Sequence, residues 1–192
     1  MPKLKNVIKE MNALGVNTIS KAKANLEKNN SSGALSQSLT YQVNEKDEDN
    51  PVLEFYGLDY GKFVDQGVQG NDPQAQPPGA VARYNKAPGS PYQFGTGTGS
   101  SGSLRGAIDK WVVQKGIPAA RDKEGKFIKR KSLVYLMTRS IWNTGLRPTY
   151  FFEDAQEQAS RGIQRKFAKA YAKDVEEQIE NEQRKKRRRR GR

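Results

Sequence analysis

The hydrophobic pattern of the first third of the chain predicts a helix followed by a β-hairpin. Between residues 3 and 28, apolar residues recur at steps of three and four, so they share one face of a helix. These residues are Leu4, Val7, Ile8, Met11, Leu14, Ile19, Ala22 and Leu26. Leu39, Tyr41 and Val43 then alternate with polar residues, as in a strand with one face in water. An acidic turn at 45–51 leads into a second strand, so the two strands are expected to pair.

The segment from Val52 to Gly70 is typical of a strand followed by a short helical turn. Both faces of the strand at 52–58 have apolar residues, which predicts a central strand. One face of the following turn is formed by Tyr60, Phe63 and Val64. Gly67 can close this turn in the left-handed conformation. The spacing by itself indicates only a strand–turn–helix of the kind found in any α+β core.

A long loop at 70–103 separates this half of the chain from the next. It is rich in proline and glycine and has few aliphatic residues. Long loops of this kind are typically functional or disordered. The tract 95–103 has the composition of a flexible tether, so we expect the loop to reach a neighbouring molecule. A third strand is indicated at 80–84.

Three helices are predicted after the loop. The first ends near Gly116. The second is expected to be capped by Ser132 and to end at Gly145. The third runs from near Phe152 to about Arg184. Its apolar stripe, mostly at steps of four, is Ala155, Ala159, Ile163, Phe167, Tyr171, Val175 and Ile179.

The predicted fold class is therefore α+β. A small antiparallel sheet is packed by N-terminal and C-terminal helices, with a long Pro/Gly-rich loop and an extended C-terminal helix that ends in a basic tail. The predicted division is a single domain over 1–183, including the extended loop 70–103, and a polybasic tail over 184–192. Only 34% of the residues are hydrophobic, so the predicted core is modest.

The composition argues against most enzyme classes. The chain has no cysteine and no histidine, and so lacks a thiol nucleophile, the commonest general base and the commonest metal ligand. We predict no catalytic residues and no metal site. The carboxylate pairs Asp59 with Asp65 and Glu153 with Asp154 are the remaining catalytic option. Helix capping and the helix dipole account for Asp59, Glu153 and Asp154 without catalysis.

A glycine motif in the loop does not alter this conclusion. Gly97, Gly99 and Gly102 match G-x-G-x-x-G, but no buried strand precedes them, and a Gly/Ser tract produces such matches by chance. No apolar run approaches the ~20 residues of a membrane span, and residues 1–10 lack the apolar core of a signal peptide. The chain is expected to be made in a cytoplasm and to have no membrane partner.

The strongest electrostatic feature is the basic end of the chain. The net charge is +13, and residues 184–192 contribute eight of the 34 basic residues and no acid. The basic residues are Arg184, Lys185, Lys186, Arg187, Arg188, Arg189, Arg190 and Arg192. Several interpretations stay open: contact with DNA or RNA phosphates, a solvated tail, pairing with the acidic segment 174–182 of a neighbour, or a nuclear localisation signal.

Aromatic residues cluster around a second turn, where Trp142, Tyr150, Phe151 and Phe152 flank the sequence G-L-R-P at 145–148. Core packing explains them. The alternative is an aromatic and arginine patch at a subunit interface.

Two motifs in this order resemble the neck, or tail-completion, proteins of tailed bacteriophages. The first is D-Y-G-K-F-V-D-Q-G-V-Q-G at 59–70, which follows a strand. The second is I-W-N-T-G-L-R-P-T-Y-F-F-E-D-A at 141–155, which precedes a terminal helix. The resemblance covers roughly residues 30–160. The long loop, the polar segment 119–131 and the polybasic end depart from the family pattern.

This resemblance implies a structural virion protein without enzymatic activity or cofactor. Such subunits form a ring, here expected to be a hexamer or dodecamer, at the portal vertex around the DNA channel. The implied partners are other copies of the chain, portal, adaptor or tail proteins, and non-specific contact with DNA. The subunit-interface residues we predict are Tyr60, Phe63, Val64, Gly67, Gly70, Arg147, Pro148, Tyr150, Phe151 and Phe152. The alternative is a non-enzymatic nucleic-acid-binding protein acting through its polybasic end.

Overall fold

The computed structural model of the protein describes residues 4–28, 33–47, 50–72, 85–96, 104–118, 121 and 124–190. The helices are α1 (Lys5–Lys28), α2 (Gly33–Ser38), α3 (Gly61–Gln66), α4 (Leu104–Gln114), α5 (Arg130–Thr144), α6 (Phe151–Ser160) and α7 (Ile163–Arg190). The strands are β1 (Thr40–Asn44), β2 (Val52–Tyr56), β3 (Val68–Gln69) and β4 (Gly145–Leu146). β1 pairs with β2 and β3 pairs with β4, both antiparallel. The predicted α+β class, with a small antiparallel sheet among helices, is confirmed.

The chain divides into two compact units. Unit one contains residues 1–61 and 150–192, and unit two contains residues 62–149. The predicted boundary between a domain at 1–183 and a tail at 184–192 stays a prediction, and helix α7 continues across residue 184 to Arg190. The predicted strand at 80–84 and the glycine motif at 97–102 lie outside the described residues.

The hairpin of unit one has the predicted pairing, with Tyr41 opposite Phe55 and Val43 opposite Leu53. The prediction that β2 is a central strand is wrong. Among the described residues β2 pairs with β1 alone, and the second face of β2 is exposed, with Tyr56 50% accessible. On that face the Tyr56 hydroxyl donates to the Glu54 carboxylate at 2.7 Å. This hydrogen bond is the main reason that the pKa of the Tyr56 phenol is raised above its ordinary value of 10.0, and desolvation makes a smaller contribution in the same direction.

The core of unit one lies where α1 packs against α6 and α7. Its most buried apolar residues are Ala22, Leu26, Leu35, Phe151 and Ala155. β2 adds an aromatic contact, because the rings of Phe55 and Phe152 meet edge to face with centroids 5.2 Å apart. Such pairs stabilise by about 0.5–1.5 kcal/mol beyond the area they bury. The hydrophobic stripe that predicted α1 is therefore the stripe that builds this core.

Gly15 lies in the middle of α1 because the ring of Tyr41 packs directly on its backbone. A Cβ at residue 15 would lie 2.6 Å from Cε2 of Tyr41 and 2.7 Å from Cγ. Real Cβ atoms do not approach aromatic carbons so closely, and the ring is held by its strand. The glycine that weakens the helix by propensity thus permits the helix to pack against the hairpin.

We expect Gly15→Ala to destabilise the protein, although alanine is the better helix former by about 1 kcal/mol. Overpacking costs roughly 1–3 kcal/mol, so the net loss should be up to about 2 kcal/mol, measured by thermal or urea unfolding. In a Tyr41→Val background the ring is absent, and the same change should instead stabilise. Stabilisation by Gly15→Ala in the wild-type background would contradict the Tyr41 contact.

The predicted single C-terminal helix is two helices. Gly162 has φ +72 and separates α6 from α7. Along α7, burial follows Ile163, Phe167, Ala170 and Asp174, at steps of four, three and four. Strict steps of four advance by about 40° each around a helix. The predicted stripe therefore drifts off the covered face, leaving Tyr171 and Ile179 52% and 53% accessible.

Unit two contains α4, α5 and the pair β3–β4. Gly116 and Gly145 end α4 and α5 as predicted, with φ +58 and +88. The prediction that Ser132 caps α5 is wrong. The helix begins at Arg130, its N-cap residue Lys129 makes no side-chain capping bond, and Ser132 lies in the first turn. The basic residues before Ser132 continue the helix because their side chains suit it well.

Candidate subunit interface

The parts of the two motif segments that belong to unit two, residues 62–70 and 141–149, meet there. In the β3–β4 pair, Val68 lies opposite Leu146 and Gln69 opposite Gly145. Beyond β4, the Thr149 amide donates to the carbonyls of Val64 and Asp65 at 3.1 and 3.0 Å. The Thr149 hydroxyl also donates to the Val64 carbonyl at 2.8 Å. The segments on which the family resemblance depends are therefore joined by hydrogen bonds.

Glycines allow the two backbones to approach. A Cβ on Gly70 would meet the carbonyl group of Asn143 and lie 2.7 Å from the carbonyl carbon of Thr144. Gly67 has φ +72, as predicted, and a Cβ there would lie 2.6 Å from the Leu146 carbonyl oxygen. Any larger residue at these positions would separate α3 and β3 from the end of α5.

Part of the Pro/Gly-rich loop belongs to this junction. The Gln69 amide donates to the Tyr92 carbonyl at 2.7 Å, and the Phe94 amide donates to the Gln69 carbonyl at 3.0 Å. Gln69 thus pairs with Gly145 on one side and, in a parallel bridge, with Gln93 on the other. Residues 85–96 thus pack on their own unit. The expectation that the loop also reaches a neighbouring molecule stays a prediction. Residues 73–84 and 97–103 lie outside the described part of the chain.

Two polar side chains hold the 85–96 segment in place. The Ser90 hydroxyl donates to the Gly67 carbonyl at 2.8 Å, and Ser90 is 5% accessible. The side-chain oxygen Oδ1 of Asn85 accepts from the backbone amide of Gly70 at 3.1 Å. The side-chain nitrogen Nδ2 of Asn85 donates to Oε1 of Gln69 at 3.1 Å. Sequence reasoning missed both residues. The available signal was their type, because Asn and Ser in turns bond to nearby backbone groups.

Two aromatic pairs flank the same segment. The rings of Phe63 and Tyr92 meet edge to face at 4.8 Å, with the Lys62 ammonium 5.2 Å from the Phe63 centroid. Phe94 stacks on Trp142 at 5.4 Å. Phe63 and Trp142 remain 37% and 38% accessible. In each pair, a ring of the 85–96 segment, Tyr92 or Phe94, packs against a ring outside it. The outer ring, Phe63 or Trp142, remains partly accessible to solvent.

The predicted interface residues fall into exposed and buried groups within each unit. In unit two, Phe63 and Arg147 are exposed, and Val64 and Pro148 are half-buried. Gly67 and Gly70 are buried against the backbone of residues 143–148. In unit one, Tyr60 and Tyr150 are exposed and Phe152 is half-buried. Phe151 is only 2% accessible and lies in the core, which agrees with the packing alternative for this residue. The assignment of the set to a subunit interface stays a prediction.

Tyr150 has an unusual backbone. It is the N-cap residue of α6 with φ 48 and ψ 29, and its side chain makes no capping bond. The left-handed region is uncommon for residues other than glycine, and especially so for a bulky residue such as tyrosine. Glu153 and Asp154 follow in the first turn, where the helix dipole favours acids. This placement agrees with the non-catalytic interpretation of the two carboxylates.

The basic end of the chain is the last part of α7. Arg184 pairs with Glu180 at 3.6 Å, and Lys185 pairs with Glu182 at 2.9 Å. Lys186, Arg187 and Arg188 are exposed. The side chains of Arg189 and Arg190, and all of residue 192, lie outside the described part. Since two of the cations already meet acids of their own helix, the acidic segment and the basic run partly neutralise each other within one chain.

Within the described residues, no group of three or more Asp or Glu side chains is placed to hold a metal ion. None of the helices there is both long and apolar enough to cross a bilayer. Comparisons of the chain with protein-family models, with curated proteins and with solved structures found no match.

Proposed function

We propose that this protein is a structural subunit of the neck of a tailed bacteriophage. It would form a homo-oligomeric ring, a hexamer or dodecamer, that joins the portal or connector to the tail around the DNA channel. The observation that supports this proposal most is the pairing of the two motif segments through β3, β4 and Thr149. Segments that resemble one family in sequence also act as one structural element.

The surface beside this junction suits a protein–protein contact. Phe63, Trp142 and Leu146 are 37–39% accessible, and Arg147 is exposed. Aromatic side chains and arginine are enriched in the energetically dominant parts of interfaces. The glycine-mediated packing beneath them supplies a rigid support. In the assembled ring these side chains would contact the next subunit, and residues 70–103 would lie at that boundary.

The direct test is the mass of the particle. We would purify the full chain, alone and with the products of its neighbouring genes, and record native mass spectra and negative-stain images. The proposal requires closed rings of six or twelve copies, or joint particles with a connector or tail component. A chain that stays monomeric and joins neither kind of component would rule it out.

Phe63→Ala should disrupt the ring while the monomer stays folded. Removal of a ring that is central to an interface typically costs 2 kcal/mol or more, or roughly a 30-fold loss of association. The Phe63–Tyr92 contact within one subunit should contribute only about 0.5–1.5 kcal/mol. Phe127→Ala is the matched control, because Phe127 is 60% accessible in the same unit but outside both motifs. Equal losses of monomer stability and assembly would leave Phe63 as a packing residue only.

A second candidate function is nucleic-acid binding through the basic end. It is favoured by the exposure of Lys186, Arg187 and Arg188 on a helix that continues to Arg190. Replacing these three residues by glutamine should weaken binding to duplex DNA. The slope of log affinity against log salt should fall by about 0.9 for each phosphate that the variant no longer neutralises. Fluorescence anisotropy of labelled duplex DNA measures both the affinity and its dependence on salt.

The control for this prediction is Lys5, Lys9 and Lys28 changed to glutamine, which removes equal charge from exposed positions of α1. Equal losses in both triple variants would show that binding follows net charge alone. A neck subunit that lacks residues 184–192 should still assemble, whereas a free nucleic-acid-binding protein should lose its main activity.

A further inference from the structure

Helix α7 has a second apolar face that is not the one buried in unit one. Five apolar residues fall within an arc of about 100° on this face, taking 100° per residue. They are Ala168, Tyr171, Ala172, Val175 and Ile179. Four of them are exposed, and Val175 is half-buried. Asp174, which is 2% accessible, lies on the covered side.

The spacing of this face is that of a helix–helix seam. Ala168, Tyr171 and Val175 follow at steps of three and four, as the core positions of paired helices do. The rest of the helix is dominated by charged residues. Large apolar side chains on so polar a helix are costly to leave in water, since each exposed leucine-sized group forgoes about 1.5–3 kcal/mol of burial. The face therefore suits another helix.

The charges beside the seam indicate which helix would fit. Arg165 and Lys169 lie on one flank before residue 173, and Glu176 and Glu180 lie on the same flank after it. All four side chains are exposed. If two copies of α7 cross antiparallel with residue 173 at the centre, Lys169 faces Glu176 and Arg165 faces Glu180, each to within one residue, or about 1.5 Å. The seam matches in this register, because Tyr171 then faces Val175 and Ala168 lies within one residue of facing Ile179.

In a parallel pair this flank would face the opposite flank of the partner helix, where Phe167 is half-buried and Asp174 is buried within unit one. None of the four charges would then meet its complement, whereas complementary charges across an interface fix orientation and register. We propose that α7 pairs antiparallel with α7 of a second copy of this chain, over residues 165–180. This contact is two-fold and self-complementary, so it differs from the contact that repeats around a ring. It does not rest on the proposed neck function.

Cysteine cross-linking tests the geometry directly, because the chain has no native cysteine. In the antiparallel pair, Ala168 of one copy lies opposite Ile179 of the other. The two copies of residue 168, like the two copies of residue 179, are instead separated along the helix axis by about 10 residues, or roughly 15 Å. A mixture of Ala168→Cys and Ile179→Cys chains should form the disulfide at least tenfold faster than either variant alone. Equal rates for the single variants and the mixture would overturn the proposal.

Charge reversal tests the specificity. Lys169→Glu should weaken self-association at least tenfold in sedimentation velocity, and adding Glu176→Lys in the same chain should restore it to within about threefold. Lys166→Glu makes the same charge change at an exposed position on the far side of α7 and should have little effect. Equal effects of Lys169→Glu and Lys166→Glu would overturn the proposal, as would a wild-type chain that is monomeric at several hundred micromolar. Ring formation is measured by particle mass, independently of these two experiments. The neck proposal and the α7–α7 proposal can therefore fail separately.

Discussion

Replacing Gly70 by alanine is expected to lower the free energy of unfolding of unit two by about 3 kcal/mol, at the upper end of the usual range for overpacking. The added methyl group would meet the carbonyl group of Asn143 and the carbonyl carbon of Thr144. These are backbone atoms at the end of α5, which cannot move aside as a long side chain can. The β3–β4 pair and the Asn85 contact to the Gly70 amide would have to separate.

The measurement is the thermal and urea unfolding of the variant followed by tryptophan fluorescence. Trp111 and Trp142 are the two tryptophans of the chain and both belong to unit two. Gly89→Ala is the matched control, since Gly89 is in the same unit and a Cβ there would meet nothing within 4 Å. We expect the control to differ from wild type by less than about 0.5 kcal/mol. A Gly70→Ala variant as stable as the control would contradict the close backbone approach.

Local periodicity was sufficient to predict the elements that obey one period throughout. The three- and four-residue steps before residue 28 predicted α1, and the alternation around Tyr41 predicted β1. The predictions failed where one hydrophobic pattern is compatible with two different structures. The second apolar face of β2 indicated burial on both sides, yet Val52 is 52% accessible. An apolar residue can be exposed at modest cost, so its presence does not establish a second covering layer.

The break at Gly162 and the buried face of α7 were missed for a related reason. A helix tolerates one glycine at a cost of about 1 kcal/mol, so sequence alone does not distinguish a weak point from an end. The buried face of α7 includes Asp174, a residue type that is almost never fully buried unless paired. Its partners are at the other end of the chain, and no local pattern contains them.

The candidate interface shows the same limit. Both motif segments were identified from the sequence, and Gly67 has the left-handed conformation expected of it. Their pairing through β3 and β4 depends on contacts between residues far apart in the chain. The 85–96 segment was interpreted as part of a reaching loop because proline and glycine predict irregular backbone. Irregular backbone can still be held firmly, as Asn85 and Ser90 hold it here.

The N-terminus of α1 depends on Asp174, a buried residue of unit one. The first amides of a helix have no partner within it and need an external acceptor. Leu4 precedes α1 and has no side chain that can accept. The Asp174 carboxylate instead accepts from the Asn6 amide at 2.9 Å, from the Val7 amide at 3.0 Å and from the Asn6 side chain at 2.7 Å. A capping carboxylate from α7 therefore fixes the N-terminus of α1.

We expect Asp174→Ala to lower the free energy of unfolding of unit one by about 3 kcal/mol, because hydrogen bonds to a charged group contribute roughly 1.5–3 kcal/mol and the donors lose their acceptor. Asp174→Asn keeps one acceptor oxygen and should cost about half as much. Far-ultraviolet circular dichroism gives the stability, and hydrogen exchange should show faster loss of protection at Asn6 and Val7. Glu177→Ala is the control, since Glu177 is exposed and, among the residues that the structure describes, accepts only from the Asn6 side chain, at 3.3 Å. If both alanine variants cost the same, burial of the carboxylate would not be the source of the stabilisation.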